Sequence, residues 1–161
     1  MPLEKPSVQK VSAALIAAGL DDKVQALSET ARTAQDAADA LAVPLGAIAK
    51  SLVFMIGDQA VLALVAGDRQ CILQQLAPIL GFEGKVKRAT ADQVRLATGF
   101  AIGGVAPIGH STEMPIALDQ SLSRFDRLFA AAGHPHCVFE TTFLELQTLT
   151  KAVVSDQLSQ E

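Results

Sequence analysis

The chain has 161 residues, half of them apolar, with seven Phe, no Trp or Tyr, and a formal net charge of −4. That length suits a single domain over 1–161 with a core of Ala, Leu, Val and Ile. No apolar run reaches the ~18–20 residues of a membrane span, no basic start and apolar run mark a secretory signal, and an acidic chain is unsuited to broad sliding on DNA, which needs many phosphate contacts.

The expected elements alternate between helix and strand. Pro6 and Ser7 open a helix with Val8, Val11, Ala14, Leu15 and Ala18 at helical spacing and Gly19 as its stop. Lys23–Leu27 reads as a short strand, and Thr33 caps a helix over Ala34–Leu41. Pro44 allows a further helical turn through Ile48. Lys50–Ile56 and Ala60–Ala66 flank Gly57-Asp58-Gln59, which predicts a hairpin whose strands are apolar on both faces and therefore central. Asp68 is positioned to cap a helix over Arg69–Leu80, closed by Gly81. Lys85–Ala89 reads as a basic strand, and Thr90-Ala-Asp-Gln93 is a capping box opening a helix to Thr98. Met114–Leu118, Leu128–Ala132 and Cys137–Glu140 read as strands, Thr142-Phe-Leu-Glu145 is a second capping-box match that opens a last helix, and the polar tail beyond Lys151 is expected to fray. This mixture, without a regular βαβ series, predicts an α+β fold with a mixed sheet. Cys71 and Cys137 form no CxxC and read as reduced, buried thiols of a reducing compartment.

Four glycines fall between Ala97 and His110, interleaved with Phe100, Ile102, Val105 and Ile108, and Pro107 stiffens the segment. By pattern alone this is a Gly-rich turn between strands, or a bare-backbone loop whose N–H groups could meet an anion or a polarised carbonyl. Lys50, on an otherwise apolar strand, reads as a snorkelling surface residue or as a cation at a cleft. His134 and His136 share a turn, but no Cys, Asp or Glu stands at ligand spacing, so no metal is expected. His110 reads as a rim residue of the loop. Lys85, Lys87, Arg88 and Arg95 form the one basic cluster.

Taken together, Lys50 in Ala49-Lys50-Ser51-Leu52-Val53-Phe54, then Thr98-Gly99-Phe100, then Gly103-Gly104-Val105-Ala106-Pro107-Ile108-Gly109 resemble the YbaK/ProX family of trans-acting aminoacyl-tRNA deacylases, which are similar to the editing domain of bacterial prolyl-tRNA synthetases. The similarity runs from about Asp36 to about Thr150. It implies a curled, barrel-like mixed sheet flanked by helices, a cytoplasmic location, and hydrolysis of a mischarged tRNA, foremost tRNA(Pro) carrying Ala or another small residue. No cofactor is implied; the partners would be aminoacyl-tRNA and, in some settings, prolyl-tRNA synthetase, with no DNA or membrane. The alternative is a non-catalytic module holding tRNA ends or nucleotides beside a synthetase.

The resemblance also implies roles. Lys50, Gly103 and Gly104 would serve catalysis, with Lys50 either holding a phosphate or ribose or stabilising charge at the ester carbonyl. Thr98, Gly99, Phe100, Ile102, Val105, Ala106 and Pro107 would bind the aminoacyl moiety and terminal adenosine. His134 and His136 would lie near the pocket, where cysteine-specific relatives tend to carry an aspartate, so a cysteine preference is not expected. Lys85, Lys87 and Arg88 would meet acceptor-stem phosphates.

Overall fold

A computed structural model describes residues 2–28 and 33–161. Its five helices are α1 (Pro6–Ala17), α2 (Ala34–Leu41), α3 (Leu73–Leu80), α4 (Ala91–Thr98) and α5 (Phe143–Thr150). The strands are β1 (Val24–Ala26), β2 (Ile48–Ile56), β3 (Gln59–Ala66), β4 (Gln70–Cys71), β5 (Val86–Arg88), β6 (Ile116–Asp119), β7 (Leu128–Ala131), β8 (Cys137–Thr141), β9 (Val153–Ser155) and β10 (Ser159–Gln160).

Helix starts follow local chemistry. Thr33 and Thr90 accept from the backbone N–H three residues on, and Asp36 and Gln93 return the bond, so α2 and α4 each begin on a complete capping box. Thr142 accepts from Glu145 N and starts α5, without the return bond that would complete the expected capping box. Gly81 and Gly99 end α3 and α4 in the left-handed conformation, at φ +80° and +81°.

Eight strands form one mixed sheet in the order β1-β8-β7-β2-β3-β6-β9, with β5 also pairing β2; β4 and β10 form a separate ribbon. β2 and β3 make the expected hairpin, whereas β2·β7, β3·β6 and β6·β9 run parallel. The alternation of β2 and β3 divides the interior. Ala49, Leu62, Leu64 and Ala66 face a core completed by Val8, Val11 and Leu15 of α1 together with Phe100, Val105 and Phe139. Phe54, Ile56, Ala63 and Val65 face a second core under Leu76 and Ala77 of α3. A third, smaller cluster joins Ala38 of α2 to Ile48, Phe129 and Val138.

Two expectations fail for the same reason. The helix expected over Arg69–Leu80 begins only at Leu73, because Gln70–Cys71 pair with Ser159–Gln160 as a ribbon. Asp68 does not cap it; its carboxylate takes both prongs of the Arg124 guanidinium at 3.0 and 2.8 Å. Nor does the tail fray: Val153–Ser155 pair with β6, and Leu158 is fully buried. A window of local sequence carries no signal for partners some 90 residues apart.

Candidate active site

The site arises where β2 changes neighbours. β3 pairs with it from Ala49 to Ile56, but on the opposite edge β7 reaches only Ile48 and Ala49, and β5 only Phe54–Ile56. Gly67 N donates to Ile48 O, which sets the alternation of main-chain groups along the hairpin. By that alternation Ser51 turns its N–H and C=O into the interval between β7 and β5, beyond the register of either strand.

A cleft of about 220 Å³ lies at this interval. Lys50–Leu52 form one wall, Gly103, Val105 and Pro135 another, and Ala130 and Ala131 of β7 with Ala34 and Ala37 of α2 complete it. A recess of about 90 Å³ shares Ser51, Leu52, Gly103 and Val105, and is bounded by Arg88 and Ile102. A larger groove, about 710 Å³, lies between α3 and the Phe82–Val86 segment, but of the residues singled out from sequence it holds only Lys85.

Lys50 stands opposite Val65, on the face of β2 that carries the second core. Its Nζ donates to Arg69 O at 2.7 Å. Burial lowers the ammonium pKa, and the negative charges of Asp68 and Asp119 work against that. Lys50 and Gly103 thus border one cleft. Ser51 lies on the other face, between Ala49 and Val53. Among the described residues its Oγ is one of two buried side-chain oxygens with no hydrogen-bond partner, the other being Ser121 Oγ. An unsatisfied buried hydroxyl costs about 1–3 kcal/mol. Its sequence signal was slight: one small polar residue in an apolar run.

The glycine loop divides its labour. Gly103 is exposed, at φ +89°, with only Pro135 Cγ 3.9 Å from where a Cβ would stand. Gly104 is different: its N–H donates to Ala101 O at 3.0 Å, and a Cβ there would lie 3.0 Å from the His134 N and Cα. It is a glycine so that the 133–136 turn can pack against the loop, and its N–H is not available to an oxyanion. Val105 lines the cleft, whereas Ala106 is fully buried and its carbonyl is held by His110 Nε2 at 2.7 Å. His110 is therefore a brace inside the loop rather than a rim residue; burial lowers its pKa, and the bond requires the proton on Nε2.

Thr98 and Phe100 stand behind the loop. Both are fully buried: Thr98 Oγ1 donates to Val94 O at 2.7 Å and accepts from Phe100 N at 3.0 Å, and the Phe100 ring fills the main core. Gly99 faces Ser111 and Lys10, and Pro107 borders a separate groove with Met114 and Leu149. None of these four borders the cleft, because Gly99 turns the chain into the core before Ile102 returns it to the surface. Ile102 is 62% exposed and edges the recess.

In the 133–136 turn, His136 N donates to His134 Nδ1 at 3.1 Å, which makes Nδ1 the acceptor nitrogen of His134. The two imidazoles lie 5.2 Å apart, and burial, then the charge of His136, lowers the His134 pKa. Neither ring borders the cleft; Pro135 between them does. No set of three or more metal-ligating side chains is assembled among the described residues. Of the basic residues, Lys85, Lys87 and Arg88 are all exposed, but only Arg88 reaches the recess beside Gly103. Cys71 is half-buried, and burial raises its pKa to about 11, so it is a protonated thiol at neutral pH and no nucleophile. No helix among the described residues is long and apolar enough to cross a membrane.

Residues 28–149 match the profile of a family described as the aminoacyl-tRNA editing domain. The uncharacterized protein YwhH of Bacillus subtilis is 35% identical over 127 residues, 78% of this chain and 80% of that protein. A proline–tRNA ligase of Lactobacillus gasseri is 29% identical over 123 residues, 74% of this chain but only 22% of the ligase. A crystal structure described as that of a candidate trans-editing enzyme for prolyl tRNA synthetase superposes with a TM-score of 0.90 at 40% identity, covering 98% of this chain and 99% of that one. α1, β1, β9 and β10 fall outside the matched residues 28–149.

Proposed function

The chain belongs to the aminoacyl-tRNA editing domain family, and from that premise we propose that it is a deacylase that hydrolyses the ester of mischarged tRNA, foremost tRNA(Pro) carrying alanine. The observation that carries this reading is the split edge of β2. It brings Lys50, Ser51 with its unpartnered hydroxyl, and the exposed Gly103 to the lining of one small cleft.

The reaction needs water to add to the ester carbonyl, stabilisation of the oxyanion that forms, and a proton for the ribose oxygen as the carbon–oxygen bond breaks. The Ser51 N–H and Oγ and the Lys50 ammonium are the donors at the cleft. Gly103 lets the ester approach the loop without a side chain in the way. Among the described residues no serine, cysteine or histidine is arranged as a nucleophile with its base, so the attacking oxygen comes from solvent, with the substrate's own neighbouring ribose hydroxyl available to assist. The role falls in the cytoplasm, where charged tRNA is used, with prolyl-tRNA synthetase as a partner that can present it.

The alanine lining sets specificity by size. At about 220 Å³ the cleft is below the ~300–1,000 Å³ of pockets for drug-sized ligands. One methylene changes the preference by only ~1–3 kcal/mol, so small acyl groups are expected to be turned over with graded rates. Proline, with its ring closed on the amine, is expected to be excluded far more strongly. A panel of tRNA(Pro) charged with Ala, Ser, Cys, Thr and Pro, scored for deacylation, tests this: rapid loss of the alanyl ester and very little loss of the prolyl ester are expected. Equal rates on those two would end the size argument, a strong cysteine preference would overturn the reading of the 133–136 turn, and tRNA binding without any turnover would identify a binding module instead.

Contact with tRNA is expected to be local. With a net charge of −4 and one basic residue at the recess, affinity should fall with salt more gently than for a protein making ~6–10 phosphate contacts. Titration of tRNA binding against potassium chloride measures the slope; a steep one would contradict a local contact.

A further inference from the structure

We propose that Ser159 is a positioning residue for Lys50, acting through Arg69. The inference rests on Lys50 serving the reaction as set out above. Arg69 touches both. Its main-chain oxygen accepts from Lys50 Nζ at 2.7 Å, while its guanidinium reaches the other way, with Nε donating to Ser159 Oγ at 2.7 Å and Nη2 to Ser159 O at 2.9 Å. Ser159 Oγ in turn donates to Asp119 Oδ2 at 2.8 Å. The same carboxylate accepts from Ala66 N at 3.1 Å through Oδ2 and from Ser121 N at 2.9 Å through Oδ1.

Asp119 and Ser159 are 2% and 5% exposed, so neither has water as a ready substitute. The Ser159 hydroxyl both accepts and donates, and its loss would leave Arg69 Nε and one site on Asp119 without that partner. The backbone supports the same geometry: Ser159 pairs with Cys71, and Ile72 N donates to Leu158 O at 2.8 Å. The turn that carries Arg69 is thereby fastened to the tail on one side and to β6 on the other. A lysine ammonium has three donors. With one fixed on Arg69 O, the long and otherwise mobile side chain is held in a single pose and the other two donors remain for the cleft.

Two measurements test this together. In protein labelled with 13C at lysine Cε, the Lys50 signal, assigned by its absence from Lys50→Ala, is expected to shift in Ser159→Ala and in Arg69→Gln and to return in Ser159→Thr. In deacylation, Ser159→Ala is expected to lower kcat/KM about fivefold, and the same substitution made in Lys50→Ala is expected to change nothing further, because contacts in one chain of bonds are non-additive. A Lys50 signal unmoved in folded Arg69→Gln overturns the proposal. So does a fivefold loss that persists in the Lys50→Ala background, since it would then act by another route. If the wild-type chain shows no turnover on any ester, the deacylase reading fails, while the labelled lysine still decides whether Ser159 positions Lys50.

Discussion

Lys50→Ala is expected to lower kcat/KM on alanyl-tRNA(Pro) at least about tenfold, equivalent to ~1.4 kcal/mol of transition-state stabilisation, while the protein stays folded. The activity loss follows from removing the one ammonium at the cleft wall. The fold should survive because Lys50 is a poor stabiliser. Burial lowers its pKa below that of the unfolded chain, so the charged form is penalised in the folded state. The sign of the linkage follows: that penalty is fully present below the folded pKa and disappears as pH rises through it towards the unfolded value, so the lysine charge adds no stability at neutral pH. Only its bond to Arg69 O is lost, and that carbonyl belongs to a half-buried turn residue. Single-turnover deacylation beside a thermal melt measures both halves. Near-normal turnover by folded Lys50→Ala would remove this residue from the mechanism. Lys50→Met, which keeps the stem, separates charge from packing.

The second large effect is on stability. Gly133→Ala is expected to cost roughly 3 kcal/mol, lowering the melting temperature of a chain this size by roughly 6–12 °C. A Cβ at 133 would collide with Ser7 O and lie 2.8 Å from Ser7 C and 3.2 Å from Val8 N, at a φ of +92°. The obstacle is main chain at the start of α1, and α1 cannot yield easily because Val8 and Val11 are 1% and 0% exposed. Gly57→Ala is the matched control: its φ is +61°, but a Cβ there meets nothing within 4 Å, so it carries the backbone strain without the collision. Urea unfolding of the two variants side by side gives the comparison, and equal stabilities would refute the clash. Activity should fall with stability in Gly133→Ala. Ser7 seats Gly133, the following residue His134 seats Gly104, and Gly104 sets the position of Gly103 and Val105 at the cleft. α1, though outside the 28–149 match, is the back support of the site.

The amino-acid sequence by itself determined the elements whose signals are local. The helix cap at Thr33 and the capping box at Thr90, the hairpin at Gly57, the glycine stops at Gly81 and Gly99 and the apolar runs of β2 and β3 each act within a few residues, so they are legible before any folding. The ordered set of Lys50, Thr98–Phe100 and Gly103–Gly109 was likewise enough to point to the family. Tertiary structure alone decided which of those residues meet. Thr98 and Phe100 belong to the motif yet are wholly buried, because a glycine-rich segment can turn its apolar members into a core while its bare backbone faces out. Ser51 was unremarkable until β7 and β5 left the edge of β2 open beside it. Arg69 and the tail were misread as helix and fraying end because their partners lie 90 residues apart in the chain. Periodicity reports which face of an element is apolar; it carries nothing about which distant strand, carbonyl or carboxylate will arrive to satisfy the groups that remain.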